Sequence, residues 1–157
     1  MNEPYIMSEK EITLEQYKLY VEMADRVSAR RAQTNKFYIA LLTALLLILS
    51  TIGEKNLFSS YQTQVFILVS LVGIVLNIIW FFNILSYRQL NRGKFEVIHK
   101  MEEKLPCQCY KDEWAVLGEG KNSTVYRQLS KVESYVPVIM GIPYVLLCLY
   151  TLNILFI

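Results

Sequence analysis

One histidine, three cysteines, six glycines and four prolines are spread over 157 residues, and each scarcity excludes something. A zinc site built from several His or Cys ligands has too few donors, because His99 has only Glu96, Glu102 and Glu103 at helical spacing. His99 therefore reads as a polar residue bonded to a neighbouring acid. Three cysteines do not build a disulfide framework. Cys107 and Cys109, one residue apart, could take a soft metal or respond to oxidation, but no further ligand accompanies them. Cys148 reads as a small apolar filler. Gly118-Glu119-Gly120-Lys121 lacks the spacing and the following Ser or Thr of a phosphate loop, so a plain turn is expected. No enzyme signature remains, and neither an activity nor a cofactor nor a metal is expected. The net charge of +2 gives no footprint for a nucleic-acid partner.

Charge itself is missing from three long stretches: Phe37–Gly53, Val65–Leu85 and Tyr135–Ile157, of 17, 21 and 23 residues. A helix crosses a bilayer with about 17–25 apolar residues, so each is long enough. Of the 16 Lys and Arg residues, only Lys55 lies between the first two stretches; the rest precede Phe37 or fall between Arg88 and Lys131. The positive-inside rule then puts the N-terminus in the cytoplasm and the C-terminus outside. The first run starts too deep and lacks a small-residue cleavage site, so it is not a signal peptide.

The expected class is all-α, an integral membrane protein with three transmembrane helices, the first two extended into a cytoplasmic helical stalk. Residues 1–36 form the cytoplasmic N-terminal part, 37–53 the first span and 54–64 the outer loop. Residues 65–87 form the second span, 88–134 a cytoplasmic helical region and 135–157 the third span. The first seven residues read as a loose tail. Ser8 with Glu11 and Thr13 with Gln16 both fit a capping box, and the periodic apolar residues after Thr13 favour the later start. Leu14, Tyr17, Val21, Ala24 and Ser28 then form a narrow seam. No Gly or Pro interrupts Leu14 to Ile52, which predicts one helix of about 39 residues, roughly 58 Å long at 1.5 Å per residue. The second helix is expected to end at Pro106, because a residue before proline is pushed out of the helical region. A short helix over Asp112–Leu117 closed by Gly118, and a further helix capped by Asn122 or Ser123, complete the cytoplasmic part. Pro137 and Pro143 permit kinks.

The spans contain small and amide residues instead of ionisable ones, which disfavours ion-coupled transport. Ala40, Thr43, Ala44, Leu47 and Thr51 share a face of the first helix, and Ser70, Gly73 and Asn77 share a face of the second. Ala40, Ala44, Ser70, Gly73 and Asn77 are thus candidates for close helix packing, with Asn77 giving an interhelical bond, or for a polar ring lining a pore. Arg26, Arg30, Arg31 and Lys36 flank the first span; Arg88, Arg92 and Lys94 flank the second. They anchor the topology or contact an anionic ligand or lipid headgroup, each worth about 1 kcal/mol near anionic lipid. Trp80, Phe81, Phe82 and Tyr87 fit an aromatic belt. The seam and the small faces predict a homo-oligomer closed into a ring.

Three groups of residues carry a family resemblance. The first is the run from Gln16 to Arg31 (QYKLYVEMADRVSARR) followed by Asn35-Lys36-Phe37-Tyr38. The second is Ser86-Tyr87-Arg88-Gln89-Leu90-Asn91 with Lys94-Phe95, Ile98-His99 and Lys104-Leu105-Pro106. The third is Glu113-Trp114, Leu117-Gly118 and Gly120, then Tyr126, Leu129, Val132-Glu133 and Val136-Pro137. Together they cover most of residues 14–137 and resemble bacterial RipA-like membrane proteins. The resemblance implies a small inner-membrane protein that assembles as an octamer. A looser similarity is to SLATT-type membrane effectors of bacterial conflict systems, from which this chain departs by its third span. The function expected is a non-enzymatic ring in the membrane, a gated pore or an effector in stress or phage defence. The alternative is a membrane-anchored scaffold whose stalk recruits a cytoplasmic protein.

Overall fold

The computed structural model describes residues 8–55 and 58–156; the N-terminal tail expected over residues 1–7 lies outside them. Helix α1 spans Glu9–Glu54 and α2 spans Gln62–Glu102. The short helix α3 spans Cys109–Val116, a single 3₁₀ turn covers Gly118–Gly120, α4 spans Leu129–Glu133 and α5 spans Tyr135–Phe156. No strand occurs among the described residues.

The start of α1 corrects the expected one. Ser8, not Thr13, is the cap: the Ser8 N–H donates to Glu11 Oε2 at 2.8 Å and the Glu11 N–H donates to Ser8 Oγ at 3.3 Å. This reciprocal pair satisfies two otherwise free donors. Thr13 lies inside the helix, its hydroxyl turned back onto the Glu9 carbonyl at 2.9 Å. At its far end α2 stops at Glu102, before Pro106 is reached, with His99 and Lys100 in the last turn where the helix dipole favours positive charge.

α3 begins three residues earlier than expected because its first turn has an outside acceptor, described below. Its end is as expected: Gly118 takes φ +63°, and Glu119 and Gly120 follow at +53° and +65°. A side chain at Gly120 would also collide with the Gln128 amide and the Trp114 ring. The helix expected from Asn122 does not form. Asn122 Oδ1 instead accepts from the Thr124 N–H at 3.0 Å and its hydroxyl at 2.6 Å, which closes a local turn. Helix resumes only at Leu129 and breaks again between α4 and α5. Pro137 explains that break, since it has no N–H to offer the Glu133 carbonyl. Pro143 sits inside α5 without ending it.

Two compact units divide the chain, and α1 and α2 contribute to both. The first unit contains residues 8–30 and 87–128. Ala24 and Val27 of α1 and Ile98 and Glu102 of α2 are its buried positions. The Lys94 ammonium lies 5.0 Å from the centre of the Tyr20 ring, and Phe95 meets Tyr110 of α3 edge-on at 5.6 Å.

The second unit contains residues 31–86 and 129–156. Its inward residues on α1 are Arg31, Asn35, Tyr38, Leu42, Leu45, Leu49 and Ile52, alternating steps of four and three. Ser70, Gly73, Asn77, Trp80 and Ile84 do the same on α2 with steps of three and four, and Pro137, Tyr144, Cys148 and Thr151 on α5. Leu42, Leu49, Trp80, Ile84 and Tyr144 make the core. All three long helices are apolar enough to cross a membrane. Lipid is as apolar as these side chains, so shape and hydrogen bonds rather than water expulsion hold such helices together.

Candidate functional site

Two clusters of buried polar groups stand out, one in each unit. In the second unit Tyr144 of α5 joins all three helices. Its ring covers Gly73 of α2 so closely that a methyl group added there would fall among the ring atoms. Its hydroxyl donates to the Leu42 carbonyl of α1 at 2.5 Å. One turn further along α2, the Asn77 amide donates to the Gly73 carbonyl at 2.8 Å and packs against Gly141 of α5. Asn77 is 6% exposed, and its Oδ1 has no partner among the described residues. Ser70, fully buried, bonds back to the Ile67 carbonyl at 2.8 Å.

Toward the end of the span that carries Lys36, the contacts become more polar. Trp80 Nε1 donates to Asn35 Oδ1 at 2.8 Å, and the Trp80 ring stacks on Tyr38 with 5.6 Å between centres. The Asn83 amide donates to the Tyr38 hydroxyl at 3.1 Å. Arg31 Nε faces Glu133 Oε2 at 3.2 Å, with both side chains largely covered. The pair is off-axis for a directed hydrogen bond, so charge attraction holds it. An open apolar groove of about 380 Å³, lined by Leu46, Leu49, Ser50, Gly53, Phe66, Pro143 and Leu147, has no charged group to fix a polar ligand.

The sequence candidates therefore separate. Ser70, Gly73 and Asn77 face inward, while Ala40 and Ala44 are exposed along with Thr43, Leu47 and Thr51. Among the basic residues, Arg26 pairs with Glu22 at 2.7 Å and Arg92 with Glu96 at 3.1 Å, both on exposed surface where such pairs contribute little. Arg30 and Lys36 are exposed, and Arg88 is half-buried.

In the first unit the Glu102 carboxylate, fully buried, is the hub. Oε1 accepts from the Tyr17 hydroxyl of α1 at 3.0 Å and the Tyr110 N–H at 2.9 Å; Oε2 accepts from the Lys111 N–H at 3.1 Å. Gln108 precedes α3 without capping it by its side chain. Glu102 thus satisfies two first-turn donors from a distance, and its negative charge suits a helix N-terminus. Sequence reading missed both Glu102 and Tyr144. Glu102 was signalled, since it stands four residues after Ile98, where the seam of α2 would place an apolar residue. Nothing in the sequence distinguished Tyr144 within its apolar run.

Burial, then the bond to Glu102, pushes the Tyr17 phenol well above its ordinary range, and burial followed by Asp25 and Glu113 raises Tyr110. A group whose folded pKa is raised contributes stability below its unfolded value and loses it as pH climbs through the folded one. The first unit is therefore expected to hold up to the ordinary phenol value of about 10 and to loosen above it. Helical circular dichroism followed beside tyrosinate absorbance checks this, and loss of helix well below that pH would contradict it.

His99 is half-buried beside the Phe95 ring, at 6.4 Å between centres. Cys107 and Cys109 are exposed and Cys148 is buried. Among the described residues, no group of three or more His, Cys, Asp or Glu could hold a metal ion.

No curated protein and no solved structure matches this chain. One family model does: the octameric membrane protein family (8xMP) matches residues 14–153, which takes in most of all three apolar helices and both polar clusters. On that match the chain belongs to the octameric membrane protein family.

Proposed function

We propose that the protein is a non-enzymatic homo-octameric ring in a bacterial inner membrane, acting as a gated pore in a stress or phage response. The observation that carries this reading is the exposed face of α1 in the first apolar run. Ala40, Thr43, Ala44 and Thr51 turn away from their own chain's packing, although hydroxyls gain nothing from facing lipid. In a ring, that face lines or closes the axis. The positive-inside bias supports a cytoplasmic N-terminus and an outer C-terminus. The resemblance to RipA-like proteins and SLATT-type effectors supports the setting. The test is ion and dye flux through purified octamers in liposomes, with Thr43→Leu as comparison. Flux that falls with Thr43→Leu is the expected result. Octamers that never leak, with lipid filling the axis, would overturn the pore.

A second reading, a membrane-anchored scaffold, is favoured by one observation: residues 8–30 and 87–128 pack as a unit of their own with Arg30 on its surface. Here Arg30→Glu should abolish co-purification of a cytoplasmic partner and leave the octamer intact. Arg31 is unsuitable for that experiment. Reversing it would oppose Glu133 and destabilise the second unit, by about 3 kcal/mol for a pair this covered.

A further inference from the structure

Exposed apolar side chains mean little where lipid covers them. The first unit differs, because Glu15, Lys18, Glu22 and Arg26 on α1 and Arg92, Glu96 and Lys100 on α2 give it a charge density that a bilayer interior does not accept. Yet Ile12, Leu19 and Met23 of α1 are 45%, 58% and 40% exposed. Spaced by seven and four residues, they share one face. It is not the face that packs inside the unit, which carries Ala24 and Val27. On α2, Leu90 and Val97 are 50% and 37% exposed, again seven residues apart. Gly93 lies between them, and a methyl group added there would meet no atom within 4 Å.

We infer that these two stripes are the contact between neighbouring copies in the octamer. The Ile12–Leu19–Met23 stripe of one copy docks on the Leu90–Gly93–Val97 stripe of the next. The occupant is a second copy because the family is octameric and because a ring joins each copy to the next through two different faces, which this unit supplies. The two also match in shape, with large side chains on one and a notch at Gly93 on the other. Apolar patches rimmed by charge in water mark contact sites. The inference rests on the placement of the first unit outside the bilayer, as proposed above.

Gly93→Leu tests it in the full-length protein. Within one chain the Cβ of the new side chain enters open space, and leucine raises helix propensity, so the fold is expected to tolerate it. Between copies it fills the notch. The octamer fraction, read by light scattering or native mass spectrometry at fixed concentration, should fall by about tenfold or more. Leu19→Glu should do the same, with helical content unchanged in both. An octamer untouched by both variants would overturn the contact. The thiols of Cys107 and Cys109, exposed in the same unit, report its placement independently. A membrane-impermeant maleimide should label them in inverted vesicles and not in intact cells. Thiols protected from both sides would overturn the placement and the contact with it, whereas labelled thiols with an unchanged octamer would overturn the contact alone.

Discussion

Gly73→Ala is expected to take the three-helix unit apart. The added methyl would occupy space that the Tyr144 ring fills, and the ring cannot retreat without withdrawing its hydroxyl from the Leu42 carbonyl. Overpacking of this kind costs about 1–3 kcal/mol, and the lost bond adds about 1 kcal/mol. A loss of about 2–4 kcal/mol should appear in thermal or steric-trapping unfolding of the detergent-solubilised protein. Tyr144→Phe keeps the ring over Gly73 and loses only the bond, so it should cost about 1 kcal/mol. The double variant Gly73→Ala with Tyr144→Ala should cost clearly less than the two single changes summed, because the clash vanishes with the ring. Wild-type stability in Gly73→Ala would show that the three helices do not meet at this point.

Glu102→Ala is the second large effect. Removing the carboxylate strands the Tyr17 hydroxyl and the N–H groups of Tyr110 and Lys111, all of which it serves from a buried position. Bonds to a charged acceptor contribute about 1.5–3 kcal/mol each, and rehydration of the gap recovers part of that. A net loss of about 3–5 kcal/mol in the first unit is the expected outcome. Hydrogen exchange should report it locally, with Tyr110 and Lys111 amides losing protection first. Glu102→Gln retains one oxygen for Tyr17 and Tyr110 but turns an amide toward the Lys111 N–H, so its cost should fall near half that of Ala. Equal protection in all three proteins would mean that α3 is held by Phe95 and Tyr110 packing instead.

These two residues also mark where the sequence was legible and where it was not. The three long apolar helices followed from the absence of charge over long intervals, which is a property of many residues at once. Steps of three and four also put Tyr17, Val21, Ala24 and Ser28 on the covered side of α1, although Leu14 of the same seam is 41% exposed. Three of the misplaced boundaries were local competitions between neighbours. Ser8 and Glu11 form the cap although Thr13 stands closer to the periodic residues. Asn122 bonds to Thr124 rather than opening a helix, and Pro137 acts on Glu133, upstream of itself. The candidate packing residues were legible in their spacing but not in their direction, for a different reason. Spacing put Ser70, Gly73 and Asn77 on one face, but whether a face turns inward depends on the partner opposite. Gly73 gained its partner in Tyr144, some seventy residues away, and Ala40 and Ala44 gained none within the chain.

The chain has two tryptophans, and the fold gives one to each unit. Trp80 is buried against Tyr38 in the second; Trp114 of α3 meets Tyr126 edge-on in the first. Nature has thus installed a pair of independent optical probes. With Trp80→Phe, emission reports only the unit held by Glu102; with Trp114→Phe, only the unit clasped by Tyr144. A stimulus that reaches one before the other would be visible as two separate fluorescence changes in an otherwise unlabelled protein.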